Sequence, residues 1–141
     1  MKNIQPFHIA ISVHNLAECR KFYNEVLECE EGRSSEQWVD FNLFGHQLVI
    51  HYKPKSADTE LHTNPVDGKN VPVPHYGVIL NWNVFHEFAE KLKLKKIDFI
   101  IEPYLRFQDE VGEQATMFFL DPAGNALEFK AFKNMDQLFA N

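Results

Sequence analysis

The sequence predicts an α+β fold built from two halves that repeat one order of elements, a strand, a helix and three further strands. Three observations support this prediction. Apolar residues alternate at the start of each half, in residues 7–13 and 75–80; apolar residues at helical spacing follow both segments; and each half ends in a predicted hairpin. The repeat places one histidine, His8 or His75, on the first strand of each half. We therefore expect two paired βαβββ modules.

The first module is predicted to span about residues 4–53. Its first strand is followed by a helix over residues 15–28, for which Asn15 is the expected N-cap and Glu18 the capping-box partner. Residues 30–34 are expected to form a short edge strand. Residues 38–44 and 47–53 flank a turn at Gly45 and His46, which predicts a hairpin.

A linker is predicted over residues 54–73, because this segment is rich in proline and has no sustained periodicity. The second module follows over about residues 74–133. It begins with the strand at 75–80, continues with a helix that ends near residue 94 and a short strand at 98–102, and closes with a hairpin of residues 114–121 and 126–132. The whole chain, residues 1–141, is thus expected to be a single domain.

Composition limits the classes of partner. The chain of 141 residues carries a formal net charge of −6, which is the wrong sign for binding nucleic acid or anionic membranes. No apolar stretch approaches the roughly 18 residues that a membrane-spanning helix needs. Cys19 and Cys29 lie in no CxxC or zinc-binding pattern and are predicted to be reduced thiols. Together with the lack of a signal-peptide pattern, this predicts a cytoplasmic location.

Three side chains are candidate metal ligands. His8 and His75 occupy the first strands of the two halves, and Glu128 lies on the last strand, on the face opposite Leu127 and Phe129. If the first strands pack side by side, the two imidazoles and the carboxylate would meet. Such a set with open coordination positions suits one divalent ion of iron, manganese, zinc or nickel.

Three segments resemble the vicinal oxygen chelate superfamily: FHIAISV at residues 7–13, PHYGV at 74–78 and FLDPAGNALE at 119–128. That superfamily includes glyoxalase I, extradiol dioxygenases, fosfomycin-resistance thiol transferases and bleomycin-resistance proteins. The resemblance covers about residues 4–133. It implies paired βαβββ modules that form a curved mixed sheet around a metal cleft, with ligands at His8, His75 and Glu128, and it implies a homodimer.

The sequence does not decide which enzyme class of the superfamily the chain resembles most. The fourth protein ligand of glyoxalase I falls on Val49, which cannot bind a metal. His51, on the same strand face, is a candidate fourth ligand or acid/base, and equally a histidine that faces solvent. Ala10 and the acidic loop at 107–114 disfavour fosfomycin chemistry, and a protein that keeps all three ligands does not resemble the bleomycin-resistance proteins.

The function expected from the sequence is that of a metal-dependent enzyme acting on vicinal oxygens of a small substrate, by dioxygenase-like or glyoxalase-like chemistry. Glu128 and His51 are the candidate catalytic groups. The alternative is a non-catalytic protein that sequesters a small ligand. Candidate substrate contacts are Tyr104 and Arg106, both expected on a loop, together with the aromatic side chains of Phe118, Trp38 and Tyr52.

Overall fold

The computed structural model describes residues 4–57 and 60–141, and its mixture of few helices with curved mixed sheets confirms the α+β class. No helix in the described ranges is long and apolar enough to cross a membrane. The helices are α1 (Leu16–Lys21) and α2 (Trp82–Leu94), with a π-helical turn at Phe22–Val26 and a 3-10 turn at Met135–Gln137. The strands are β1 (His8–Val13), β2 (Glu30–Ser34), β3 (Trp38–Leu43), β4 (His46–Tyr52), β5 (His62–Val66), β6 (Lys69–Val73), β7 (His75–Tyr76), β8 (Ile79–Leu80), β9 (Phe99–Arg106), β10 (Gln114–Leu120) and β11 (Ala126–Phe132).

The chain forms two compact units. The first comprises the described residues up to 60 together with residues 121–125, and the second comprises residues 61–120 and 126–141. Residues 121–125 belong to the first unit through two hydrogen bonds. The hydroxyl of the buried Tyr23 donates to Asp121 Oδ2 at 2.8 Å, and Asn125 Nδ2 donates to the Ser12 carbonyl oxygen at 3.0 Å.

The first unit is a four-stranded sheet in the order β1-β4-β3-β2, with β1 parallel to β4 and the other pairs antiparallel. Strand alternation sends apolar side chains such as Phe41 and Ile50 into the core. The opposite face carries His8 and its register partner Gln47. The predicted N-cap is confirmed, because Asn15 Oδ1 accepts from the Glu18 backbone N–H at 3.1 Å, and the Glu18 carboxylate accepts from the Asn15 side-chain amide at 3.2 Å.

The second unit has the strand order β7-β11-β10-β9, and β8 also pairs with β11. Helix α2 packs against β10 and β11, where the rings of Phe119 and Phe129 stack at 5.9 Å. The predicted strand at 75–80 is split into β7 and β8 around Gly77. At this glycine the backbone lies directly against Glu128, and a side-chain carbon would overlap the Glu128 carbonyl oxygen.

The segment predicted as an unstructured linker contains a hairpin. Strands β5 and β6 pair antiparallel across a two-residue turn at Asp67 and Gly68, both with positive φ, which is the geometry of a type I′ turn. Pro65 and Pro72 concealed these strands in the sequence. A two-stranded ribbon accepts proline because each strand has one edge without hydrogen-bonding partners. The Asp-Gly pair was the signal that predicts this hairpin.

The two cysteines agree with the prediction of reduced thiols. Both are free and buried, and burial raises the pKa of Cys19 and of Cys29 to about 12. A thiol with so high a pKa is protonated at neutral pH and is a poor nucleophile. We therefore assign both cysteines to the core of the first unit.

Candidate metal centre and substrate face

His75 and Glu128 are brought together by the pairing of β7 with β11. His75 lies opposite Ala126 in the parallel register, so the carboxylate two residues further on faces the same side. The distance from His75 Nε2 to Glu128 Oε2 is 3.0 Å. The other carboxylate oxygen, Oε1, accepts from the Thr116 hydroxyl at 2.7 Å and lies 3.1 Å from Lys130 Nζ. Two predicted ligands thus meet, and Glu128 is held in one orientation.

The hydrogen bonds of His75 define which ring nitrogen is free. Nδ1 lies 2.6 Å from the Pro72 carbonyl oxygen, which can only accept, so Nδ1 carries a proton. In the neutral ring Nε2 then presents a lone pair to the Glu128 carboxylate, and two acceptors face each other at 3.0 Å. Either a proton on Nε2, which makes an ion pair with Glu128, or a metal ion bound by both atoms removes this conflict. At ligand distances of about 2.0–2.2 Å both atoms can bind the same metal ion, so this pair fits a divalent metal.

His8 is oriented in the same way within the first unit. Its Nδ1 lies 2.8 Å from Gln47 Oε1, an acceptor, and Gln47 Nε2 in turn lies 3.5 Å from Asp40 Oδ2. Nδ1 of His8 is therefore the protonated nitrogen and Nε2 is available as a ligand. Metal-binding histidines commonly donate their second ring N–H to an oxygen in this manner.

Sequence reasoning missed Gln47 and Thr116, two groups that orient the candidate ligands. Gln47 is the register partner of His8, and Thr116 and Lys130 hold Glu128. Gln47 could have been found by pairing β1 with β4 in parallel, because residues directly opposite each other share a face of the sheet. The Pro72 carbonyl carries no side-chain signal and follows only from the fold of β6.

His51 lies away from His8. It is exposed and is paired with Ser12 of β1 and Trp38 of β3, whereas His8 is opposite Gln47. Four residues along a strand correspond to about 13 Å. Val49, between these two rungs, is buried opposite Ala10. The structure therefore does not bring His51 next to His8.

The three predicted substrate residues share the sheet face of Glu128. Phe118 is the register partner of Glu128, and its ring lies 5.2 Å from the His75 ring in an edge-to-face arrangement. Tyr104 is opposite Thr116, and Arg106 is opposite Gln114. The expectation that Tyr104 and Arg106 lie on a loop is wrong, since β9 extends to Arg106.

The β5–β6 turn contacts two of these residues. Asp67 Oδ2 accepts from Arg106 Nε at 2.6 Å, and Lys69 Nζ lies 4.6 Å from the centre of the Tyr104 ring. Burial raises the pKa of the Tyr104 phenol, so this group is neutral at neutral pH. The face thus presents an aromatic surface with two cations beside it.

The full predicted ligand set is not gathered into one cluster. Across residues 4–57 and 60–141, no group of three His, Cys, Asp or Glu side chains is arranged to hold a metal ion. The first unit contains a separate open cavity of about 490 Å³, to which Asp40 and Gln47 contribute. Among the candidate ligands, the structure therefore shows His75 in contact with Glu128, and His8 oriented by Gln47.

The chain matches the family model described as the Glyoxalase/Bleomycin resistance protein/Dioxygenase superfamily over residues 5–129. A glyoxalase/bleomycin resistance protein/dioxygenase from Alicyclobacillus acidocaldarius is similar, with 28% identity and a TM-score of 0.81 over 99% of this chain and 100% of that one. A glyoxalase/dioxygenase from Nostoc punctiforme shares 17% identity, with a TM-score of 0.68 over 92% of each chain.

Lactoylglutathione lyase from Agrobacterium tumefaciens shares 17% identity, with a TM-score of 0.63 over the full length of both chains. No curated protein matches the chain significantly. The two structures below 25% identity show the fold alone, whereas the family match covers most of the chain and includes the three segments that carried the resemblance. The chain belongs to the Glyoxalase/Bleomycin resistance protein/Dioxygenase superfamily.

Proposed function

We propose that this protein is a metal-dependent vicinal oxygen chelate enzyme that acts on a small oxygenated substrate. Its proposed ligands are His8, His75 and Glu128, and its cofactor is one divalent ion, Fe²⁺, Mn²⁺, Zn²⁺ or Ni²⁺. The observation that carries the proposal is the 3.0 Å contact between His75 Nε2 and Glu128 Oε2, with the other ring nitrogen of His75 bound to the Pro72 carbonyl oxygen. Two acceptors at this distance need either a proton on Nε2 or a metal ion that both atoms bind, and the oxygen-oriented His75 ring suits the metal ion.

The residues around this pair have separate tasks in the proposed site. The Pro72 carbonyl and the Gln47 amide fix the tautomers of His75 and His8. Thr116 holds one oxygen of Glu128, which leaves the other oxygen facing His75. A divalent ion held there would supply a Lewis acid for two vicinal oxygens of the substrate.

Glu128 and His51 are the proposed catalytic groups. Glu128 lies at the centre of the face and would also accept a proton from a substrate held there. His51 is exposed on β4, so it would exchange protons with solvent rather than serve as a ligand beside His8. Phe118 would limit water around His75, and Tyr104 and Arg106 would contact the substrate.

Dioxygenase-like chemistry is the first candidate and glyoxalase-like isomerisation the second. Val49 occupies the position of the fourth ligand of glyoxalase I and lacks a donor atom, which favours a site with three protein ligands. Three protein ligands leave about three octahedral positions for substrate and a further molecule. We also propose that the protein acts in the cytoplasm as a homodimer.

A non-catalytic ligand-binding protein is the alternative. It is favoured by one observation, the ammonium of Lys130 at 3.1 Å from Glu128 Oε1. This ammonium already neutralises the carboxylate, and in a binding protein it would do so permanently. Such a protein would sequester a small ligand on the same face without turning it over.

Metal reconstitution separates the two candidates. Protein purified aerobically and anaerobically, then supplied with each of the four ions, should retain about one equivalent of at least one ion, as measured by elemental analysis. His8→Ala, His75→Ala and Glu128→Ala should each lose this ion while the fold persists, and His62→Ala, on exposed β5, serves as control. Retention of the ion by all three variants would contradict the ligand assignment.

Activity assays complete the comparison. Oxygen uptake with catechols in the presence of Fe²⁺ would support dioxygenase activity. Turnover of thiol hemiacetals with Ni²⁺ or Zn²⁺ in the absence of oxygen would support isomerase activity. Ligand binding without turnover in either assay would favour the binding protein.

A further inference from the structure

The β5–β6 hairpin reaches both edges of the second unit's sheet. At one edge the Pro72 carbonyl, near the end of β6, accepts from His75 of β7. At the other edge the turn of the hairpin contacts β9. Strands β11 and β10 lie between these edges. The hairpin therefore runs from the β7 edge to the β9 edge, and its turn lies beside Tyr104 and Arg106.

Two cations lie at the β9 edge of the sheet face that carries Glu128. Arg106 is mostly buried, with 18% of its side chain exposed, and its ion-pair partner Asp67 is 46% exposed at the hairpin turn. Lys69 lies over the Tyr104 ring and has no carboxylate partner among the residues that the structure describes. A two-stranded hairpin is a weakly stable element, so the Asp67 carboxylate is the partner that can most easily move away.

The charge of the face is opposite to that of the chain. Lys69, Arg106 and Lys130 provide three positive charges, while Asp67 and Glu128 provide two negative charges. The chain as a whole carries a net charge of −6. A locally positive face in an acidic protein attracts anions to that face.

We propose that the substrate carries a carboxylate remote from its vicinal oxygens, and that Arg106 and Lys69 bind this carboxylate. In the free protein the Asp67 side chain takes its place, since it is itself a carboxylate bound to Arg106 Nε at 2.6 Å. The inference rests on the proposed function, which puts the vicinal oxygens beside Glu128.

Sheet register sets the length of this substrate. Along β10, Phe118 is paired with Glu128. The next residues on the same face of β10 are Thr116, which is paired with Tyr104, and Gln114, which is paired with Arg106; each such step is one rung. Each rung adds about 7 Å along the strand. β9 also lies two strands from β11, about 10 Å across the sheet, and the long Arg106 and Lys69 side chains span part of the total distance. The carboxylate should therefore lie on the order of 10 Å from the vicinal oxygens, which requires a spacer of several atoms between them.

Two matched probes test the proposal. Dihydrocaffeate is a catechol with a carboxylate on a two-carbon arm, and its carboxamide has the same shape without the charge. Binding is measured by calorimetry on metal-free and on Zn²⁺-loaded protein. We expect dihydrocaffeate to bind about tenfold more tightly than the carboxamide in both forms, because hydrogen bonds between two charged groups are stronger.

Three variants assign this preference to residues. Arg106→Gln should abolish it, Lys69→Gln should reduce it, and Asp67→Asn should increase the affinity for dihydrocaffeate by removing the competing carboxylate. Lys93→Gln, on the exposed side of α2, removes one positive charge elsewhere and should change nothing. The gain in affinity from Asp67→Asn keeps the test decisive even if Arg106→Gln fails to fold.

The outcomes separate this inference from the proposed function. Equal affinity for the two probes, or no binding of dihydrocaffeate at millimolar concentration, overturns the carboxylate site. An unchanged preference in Asp67→Asn and in folded Arg106→Gln also overturns it. A preference for dihydrocaffeate that persists in protein unable to bind any metal supports the carboxylate site and contradicts only the metal-dependent function.

Discussion

The hydroxyl of Thr116 donates a 2.7 Å hydrogen bond to Glu128 Oε1 across the β10–β11 pair. Thr116 is buried, and Glu128 is almost so, with 10% of its side chain exposed. The hydroxyl thereby determines which carboxylate oxygen faces His75. A residue that sequence analysis did not select thus sets the geometry of the candidate metal pair.

Thr116→Val should weaken metal binding while keeping the shape of the side chain. The valine cannot donate to Glu128, so only the Lys130 ammonium still orients the carboxylate, and we expect a loss of about tenfold in metal affinity. Stability should fall by about 1 kcal/mol, because one buried hydrogen bond is lost while Lys130 still contacts the same oxygen. Titration with Zn²⁺ and urea unfolding measure the two effects.

The control for this variant is Thr63→Val, on the exposed strand β5. It makes the same chemical change away from the candidate site and should alter neither quantity. Full metal affinity in folded Thr116→Val would show that Glu128 needs no such support.

Lys130→Met should have the opposite effect on metal affinity. The Lys130 ammonium at 3.1 Å competes with any cation for Glu128, and methionine fills similar space without the charge. We expect Zn²⁺ affinity to rise by about tenfold, with Lys55→Met in an exposed segment as control. A fall in affinity would instead identify Lys130 as a group that the metal site requires.

Features set by neighbouring residues could be predicted from the sequence. The N-cap at Asn15 is one such feature, and the strand periods that placed His75 and Glu128 within strands are another. Each depends on the local spacing of polar and apolar side chains. The α+β class followed from the same local patterns.

Proline also concealed the length of strand β9, which depends on the position of that strand within its sheet. The predicted strand at 98–102 stopped before Pro103, yet β9 continues to Arg106. β9 is an edge strand, and its register with β10 shifts in this region, so the missing N–H is tolerated. Whether a strand is at an edge is a tertiary property, and the substrate residues Tyr104 and Arg106 were therefore assigned to a loop.

Gly77→Ala should destabilise the second unit strongly. The added methyl group would overlap the Glu128 carbonyl oxygen, which is backbone and cannot rotate away. We expect a loss of about 3 kcal/mol in the free energy of unfolding, together with a shift of β7 that separates His75 from Glu128. Gly32→Ala provides the matched control, because its methyl group would only press on the Asp40 side chain at 3.3 Å. Equal stability of the two variants would contradict the assignment of Gly77 as a point of backbone contact.

The ion pair between Glu113 and Lys133 should make stability depend on pH on the acid side. Both carboxylate oxygens accept from Lys133 Nζ, at 3.1 and 3.0 Å, and hydrogen bonding to this ammonium lowers the pKa of Glu113. A folded-state pKa below the unfolded value gives stability that is complete above the unfolded pKa, about 4.3, and is lost as the pH falls through the folded-state pKa.

Lys133→Met removes this dependence, so the difference in urea midpoint between variant and parent should be largest near neutral pH and shrink as the pH falls below about 4. Lys133 also receives the reciprocal effect, since Glu113 raises its pKa; its stabilising contribution is present at neutral pH and is lost as the pH rises through that raised pKa. Glu113→Gln should reproduce the acid-side behaviour of Lys133→Met, because either change removes the same pair. A difference in urea midpoint that is constant from acid to neutral pH in both variants would mean that the contacts of the two side chains contribute through packing rather than through charge.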